Sequence, residues 1–402
     1  MSEAPEFRAA RLAFTVAAAF WAVSAALGLL LRLQSTWPVP GLVYGHLLHT
    51  HSHLAFLGWV YNAFFALSLR CFVPPAELQS YTRLFLATQV AVVGMLATYP
   101  WQGYAAGSIT FSTLHMILAG VLAWKLLRRS RAAAPARPFL AAAFGCMLLS
   151  GLGPLTLGPL AALGLRESPW YTFSIYFYLH FQYNGWFMFF LLAVLVHRLS
   201  EQGTLPWVAT QRLWAWLLPG TVLSLGLSAL WMHPPPWVTI ATVAGGIALV
   251  VASVPLWQVA RAGAALFPGG AARGLAVIAL GCVVAKHALQ AVGPLPVAGA
   301  LLQHRWIIIG FLHLVFVGVV SPLLLAWAIE AGWLRVTRWL HWGLGLIGSG
   351  FVVTQAALFH PAASVVLGWT GGAGLTWSLL GGSLLLLFGI LLLLPGLRRA
   401  SP

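Results

Sequence analysis

The stretch HLLHTHSHLAFLGWVYNAFFALSLR, residues 46–70, carries four histidines in its first eight positions and then continues as an apolar run closed by Arg70. At ~1.5 Å per residue a helix of this length crosses ~30 Å of hydrocarbon. The rest of the chain has the same character. Of its 402 residues, 60% are hydrophobic and 7% charged, and the mean hydropathy is +0.90. Such values belong to a polytopic all-α membrane protein.

Apolar runs of spanning length recur and predict about twelve transmembrane helices: 10–32, 45–69, 81–99, 109–127, 139–163, 170–196, 211–232, 237–259, 274–293, 303–328, 337–357 and 371–395. Connections are short, so the reading is one membrane domain over residues 1–402 with no soluble domain. The formal charge of +15 comes from basic residues scattered singly at helix ends, not from one stripe, which argues against a nucleic-acid partner. Counted on alternate sides, the N-terminus, the even-numbered connections and the C-terminus hold seventeen Lys and Arg, from Arg8 and Arg11 to Arg398 and Arg399. The other side holds Arg32, Arg166 and Arg305, and Lys286 lies within a span. This asymmetry predicts both termini inside and a multi-pass protein of a prokaryotic cytoplasmic membrane, in contact with lipid. The first apolar run exceeds a signal-peptide core and lacks a convincing cleavage site, so it is read as span one.

The chain contains no aspartate, and its six glutamates (Glu3, Glu6, Glu77, Glu167, Glu201, Glu330) fall in termini, loops or span ends. Carboxylate-coupled transport, paired-carboxylate hydrolysis and Ser-His-Asp chemistry are thereby disfavoured. Cys71, Cys146 and Cys282 show neither zinc nor CxxCH spacing. No fixed-period repeat emerges.

Histidine is the polar residue that remains. His233 and His360 are assigned to outer loops, and His197 and His341 to inner helix ends, where a solvated or headgroup-level role is expected. His51, His180, His287 and His313 fall roughly 10–16 Å below the outer surface on four different spans. Neutral imidazole is inexpensive to bury and ligates heme iron and copper. At ~100° per residue, His46, His49 and His53 share one wedge of span two. His51 points away, on a face continued by Ala55, Gly58 and Asn62. His51 is therefore the first choice for a ligand and His53 the second. Span six, SIYFYLHFQYNGWFMFF, groups His180 with Tyr176, Tyr183 and Asn184, offering either a ligand with a phenol donor or an interhelical hydrogen-bond network. In VVAKHALQAVGP, Lys286 lies beside His287, where it could carry a proton, meet a heme propionate or snorkel.

These motifs resemble the catalytic subunit I of the heme-copper oxidase superfamily, in its cbb3-type and nitric oxide reductase branch. His51, Asn62 and the segment NAFFALS match the family's span-two pattern, Tyr178-Leu179-His180 with Gly185-Trp186-Phe187 its span six, and His313 part of its span ten. The resemblance implies His51 and His313 as heme ligands, with His53 and Asn62 beside the cofactor. It also implies His180 as the copper-side ligand, whereas the reading of the residues makes His180 and His287 second-metal or second-heme candidates and Tyr183 and Lys286 candidate proton donors, the family's own tyrosine having no clearly matching position here. Its implied cofactors are b-type heme and, as a candidate, copper. Its implied partners are cytochrome c or quinol as electron donor, and further subunits. This chain departs from the pattern in lacking an adjacent His-His pair on span seven, a second histidine on span ten and the proton-channel carboxylates. HSHLAFLG, residues 51–58, is also similar to a motif of the NnrS family of heme- and copper-containing proteins of nitric oxide stress. Three readings stay open: reduction of O2 or NO, a heme protein without turnover, and a heme-free transporter or structural protein.

Overall fold

Apolar segments in lipid must satisfy every backbone N–H and C=O internally, which leaves the helix as the local solution for runs of this length. The computed structural model describes residues 4–267, 269–296, 301, 304–367 and 374–397. Glu3, Arg398, Arg399 and the expected starts of spans ten and twelve, at 303 and 371, lie outside these. Among the described residues the chain is made of helices joined by short turns and has no strand. The helices are α1 (Pro5–Thr36), α2 (Tyr44–Cys71), α3 (Pro75–Gln102), α4 (Ala106–Arg129), α5 (Ala134–Ala162), α6 (Pro169–Glu201), α7 (Trp207–Leu223), α8 (Pro236–Leu266), α9 (Gly270–Val292), α10 (Arg305–Glu330), α11 (Arg338–Leu367) and α12 (Leu375–Leu397). Eleven are long and apolar enough to cross a membrane. The protein is a multi-pass, all-α membrane protein.

Two elements depart from the expected boundaries. The helix expected over 211–232 ends at Leu223 and tightens into a 3₁₀ turn over Ser224–Ser228, so α7 is 17 residues of α-helix. The span expected to stop at 357 continues to Leu367 through Pro361, placing His360 within α11 rather than in a loop. One proline removes a single ladder bond, and the alanines behind it carry the helix on.

Two compact units form. One comprises residues up to Arg131 and from Leu324 onward, the other Ala132–Leu323, so the boundary falls inside α10. In the first unit α1 packs on α2, α3 on α4, and α12 on both α11 and α1. In the second, α5 packs on α6, α7 on α8, and α9 on both α8 and α10. Burial separates the helices into two classes. The most apolar windows of α2 and α6 are 83% buried and that of α10 56%, against 22% for α11 to 44% for α3. The less buried helices expose Ile117, Ile240 and Val352, as lipid-facing surfaces do, and Trp101, Trp170, Trp237 and Trp342 stand exposed at helix ends where interfacial belts form.

Charges pair at helix ends. Arg70 meets Glu330 at 2.9 Å beside the Trp333 ring, Glu77 meets Lys125 at 3.2 Å and Arg129 at 3.3 Å, and Glu201 meets Arg198 at 2.7 Å. Lys286 is the exception. It is 1% exposed in the middle of α9 and donates to Gln290 Oε1 at 2.7 Å, so it does not snorkel.

Candidate functional site

The α2 histidines divide by face. His51 turns to α1, where its Nδ1–H donates to the Ser24 carbonyl at 2.8 Å and Ser24 Oγ donates back to the His51 carbonyl at 3.3 Å. Its ring stands 3.0 Å from where a Cβ on Gly28 would be, so a side chain there would press the imidazole aside by a few tenths of an ångström. A carbonyl bonded to Nδ1–H fixes the tautomer and leaves the lone pair on Nε2, the arrangement common among metal-ligating histidines.

His53 turns to α3. Its Nδ1–H donates to the His49 carbonyl at 2.8 Å, and Nε2 accepts from Tyr99 OH at 3.1 Å, with Tyr104 OH at 3.5 Å. His49 packs on the Tyr104 ring at 4.5 Å, and His46 lies against Gly103, where a Cβ would stand 2.5 Å from its ring. His46, His49 and His53 thus share a side, as their spacing indicates. That side forms a cluster with two tyrosines that local periodicity did not single out. Tyr99 and Tyr104 come from the far end of α3 and the turn beyond it, and no pattern within α2 points to them.

Asn62 leaves the face of His51. It exchanges hydrogen bonds with Gln89 of α3 at 3.0 and 3.1 Å, whereas Gly58 packs on Phe20 of α1. The cause is a π-helical stretch over Leu54–Val60. It lengthens the turn by about one residue, so positions below it rotate by roughly 100° relative to a regular helix. The expected stripe from His51 through Asn62 is split between two neighbours for this reason. His115 of α4, also unmarked in the sequence, is 2% exposed and meets the Tyr61 ring edge-on at 4.5 Å.

In the second unit His180 is saturated. Its Nε2–H donates to the Thr221 carbonyl at 2.9 Å, and Nδ1 accepts from Asn184 Nδ2 at 3.1 Å. Thr221 lies where α7 passes into its 3₁₀ turn, and its carbonyl accepts from the Ser224 hydroxyl at 3.2 Å as well as from the imidazole. Tyr183 packs edge-on against Phe311 at 5.6 Å, and Gln182 donates to Ser150 Oγ at 2.8 Å. His287 is 1% exposed, with Nδ1 at 2.9 Å from Ser253 Oγ and no hydrogen-bond partner at Nε2. On α10, His313 Nδ1–H donates to the Ile309 carbonyl at 2.8 Å, which puts the lone pair on Nε2 as in His51.

At the helix ends, His197 is buried, accepting from the Ala133 N–H at 3.3 Å and lying 3.5 Å from Glu201, while His341 is exposed. Of the four histidines matched by depth, His51 belongs to the first unit and His180, His287 and His313 to the second. Among the described residues no three His, Cys, Asp or Glu side chains come together as a metal cluster. No protein-family model matches the chain, and no curated protein matches it.

Proposed function

We propose that this is a heme-binding protein of the heme-copper oxidase subunit I kind, embedded in a prokaryotic cytoplasmic membrane with both termini inside. The observation that carries the reading is the coincidence of burial, histidine and π-helix. The three most buried spans, α2, α6 and α10, are those on which the resemblance expects ligands, and each has a π-helical stretch directly behind a histidine. Such stretches in helices are frequent at functional sites.

The residues fit heme better than copper. His313 of α10 and the histidines of α2 hold the tautomer an axial Nε2 ligand requires, anchored through Nδ1. His180 does not fit a copper ligand, because both of its ring nitrogens are engaged by Thr221 and Asn184, and α7 brings no histidine pair to complement it. Heme, when bound, supplies one-electron chemistry and a site for a diatomic gas. The chain's own contribution is to orient the imidazoles through carbonyls and to enclose the site in apolar helices. Gas binding or electron transfer is favoured over multi-electron reduction of O2 or NO. Tyr183 and Lys286 then serve packing and polar roles, and electrons come from cytochrome c or quinol.

An absorption spectrum of the purified protein, oxidised and reduced, tests the reading. A Soret band with a low-spin reduced spectrum is expected after expression with sufficient heme, and its absence overturns the proposal.

A further inference from the structure

α3 and α4 pack as an antiparallel hairpin within the first unit. Lys125 Nζ lies 3.1 Å from Ser80 Oγ, and the position of a Cβ on Gly94 falls on the Phe111 ring, so residues 80 and 94 of α3 stand level with 125 and 111 of α4. Each helix turns an apolar stripe out of the bundle. Leu86, Val90 and Val93 form it on α3, and Ile117, Val121 and Trp124 on α4, all 39–60% exposed. Helical spacing places an exposed arginine on each stripe, at the end where α3 begins and α4 finishes. Arg83 shares the face of Leu86 and Val90, and Arg128 that of Trp124 and Val121.

Positive charge accumulates at that end. Arg83, Lys125, Arg128, Arg129 and Arg131 stand there with a single carboxylate, Glu77, which leaves an excess of four charges. Glu77 is shared by Lys125 at 3.2 Å and Arg129 at 3.3 Å, and the Lys125 ammonium also lies over the Tyr81 ring. Arg131 donates to the Arg70 carbonyl. Arg128 rests over the Trp124 indole, 5.9 Å from its centroid, and among the described residues neither Arg128 nor Arg83 has a carboxylate partner. In the register of the hairpin Arg83 is level with residue 122, so the two guanidinium groups start about 9 Å apart along the axis, a gap that two long side chains converging on one headgroup close.

We infer that this face of the α3–α4 hairpin binds an anionic phospholipid, its phosphate held by Arg83 and Arg128 and its acyl chains laid on the two stripes. Guanidinium groups present paired N–H donors that match phosphate oxygens. Trp124 adds an indole at headgroup level, where an aromatic ring with one apolar and one polar edge is at home. The charge excess selects the headgroup. A phosphatidylglycerol brings a net negative charge, whereas the choline of a phosphatidylcholine sets a further cation among the arginines. A free phosphate ion satisfies the arginines but leaves the stripes and Trp124 unused. The inference does not depend on the heme reading.

Native mass spectrometry of the full-length protein in detergent, supplied with equal amounts of dioleoyl phosphatidylglycerol and dioleoyl phosphatidylcholine, tests the site. The wild type is expected to retain the anionic lipid over the zwitterionic one by about fivefold or more, and Arg83→Gln with Arg128→Gln to bring that ratio within about twofold of unity. Arg83→Lys with Arg128→Lys keeps the charge and is expected to hold the preference above about twofold, which separates loss of the site from misfolding. Arg212→Gln with Arg273→Gln removes two exposed arginines of the second unit and is expected to leave the ratio unchanged. Excess inorganic phosphate is expected to leave the lipid bound. A wild-type ratio near unity, an undiminished preference in the Arg83 and Arg128 glutamine pair, or an equal loss in the Arg212 and Arg273 pair overturns the proposal. Complete displacement by inorganic phosphate also overturns it and reassigns the two arginines to a free anion.

Discussion

α6 and α10 carry the same motif and part company at one nitrogen. Both place a histidine at the mouth of a π-turn, buried in α6 and half-buried in α10, yet His180 donates from Nε2 to the backbone of α7, while His313 donates from Nδ1 to its own helix. What separates them lies outside the motif. α7 tightens into a 3₁₀ turn and presents the Thr221 carbonyl to α6, and Asn184 caps the other nitrogen from within. The Thr221 carbonyl accepts from the His180 Nε2–H together with the Ser224 hydroxyl at 3.2 Å, and Asn184 donates to Nδ1, so the neighbours of His180 choose its tautomer. The adjacent helix thus sets which nitrogen of His180 donates.

The largest expected effect divides this pair directly. His313→Ala should lower heme content at least tenfold in the pyridine hemochrome assay, whereas His180→Ala should leave heme content unchanged and lower stability by about 2–3 kcal/mol in detergent unfolding. Equal loss of heme from both would erase the distinction. Next comes the polar seam of the second unit. Gln290→Leu removes the 2.7 Å acceptor of the buried Lys286 ammonium and should cost about 1.5–3 kcal/mol, while Lys286→Met should be neutral or stabilising, as judged by thermal unfolding. If Lys286→Met instead destabilises and removes heme, the lysine belongs to the site and not to packing.

The glycines of the π-turns provide a finer comparison. Gly185→Ala forces a methyl to 2.5 Å from Cys146 and should cost about 1–3 kcal/mol. Gly58→Ala meets Phe20 at 2.9 Å, a ring that can shift, and should cost less. The smallest effect is expected at Ser24→Ala, which removes the 3.3 Å hydroxyl bond but keeps the carbonyl that orients His51. It should lower stability by roughly 0.6 kcal/mol, measured by chemical denaturation in detergent, because hydrogen bonds between membrane helices average about that.

Much of the architecture was legible from patterns that act over a single segment. Apolar length, the glutamates at span ends and the division of the α2 histidines between two sides depend on local chemistry and helical phase, and the helices follow them. Legibility failed where phase is interrupted. The π-turn moved Asn62 off the face of His51, Pro361 did not end α11, and the 3₁₀ turn shortened α7. Tyr99, Tyr104 and His115 were missed because they approach the α2 side chains from other helices, and residue spacing within α2 carries no record of them.

Residue order alone makes this chain form membrane-spanning helices, because lipid leaves an apolar segment no other way to satisfy its backbone. It also places histidines, tyrosines, cysteines and one lysine within those helices in place of carboxylates, since no aspartate exists and the glutamates stand at segment ends. Which imidazole nitrogen donates and which keeps its lone pair is settled in the folded state. His51 and His180 donate to carbonyls of neighbouring helices, whereas His53 and His313 turn back to carbonyls of their own, and which of these comes within hydrogen-bond distance follows from packing and helix distortion, neither of which is written in the order of residues along one span.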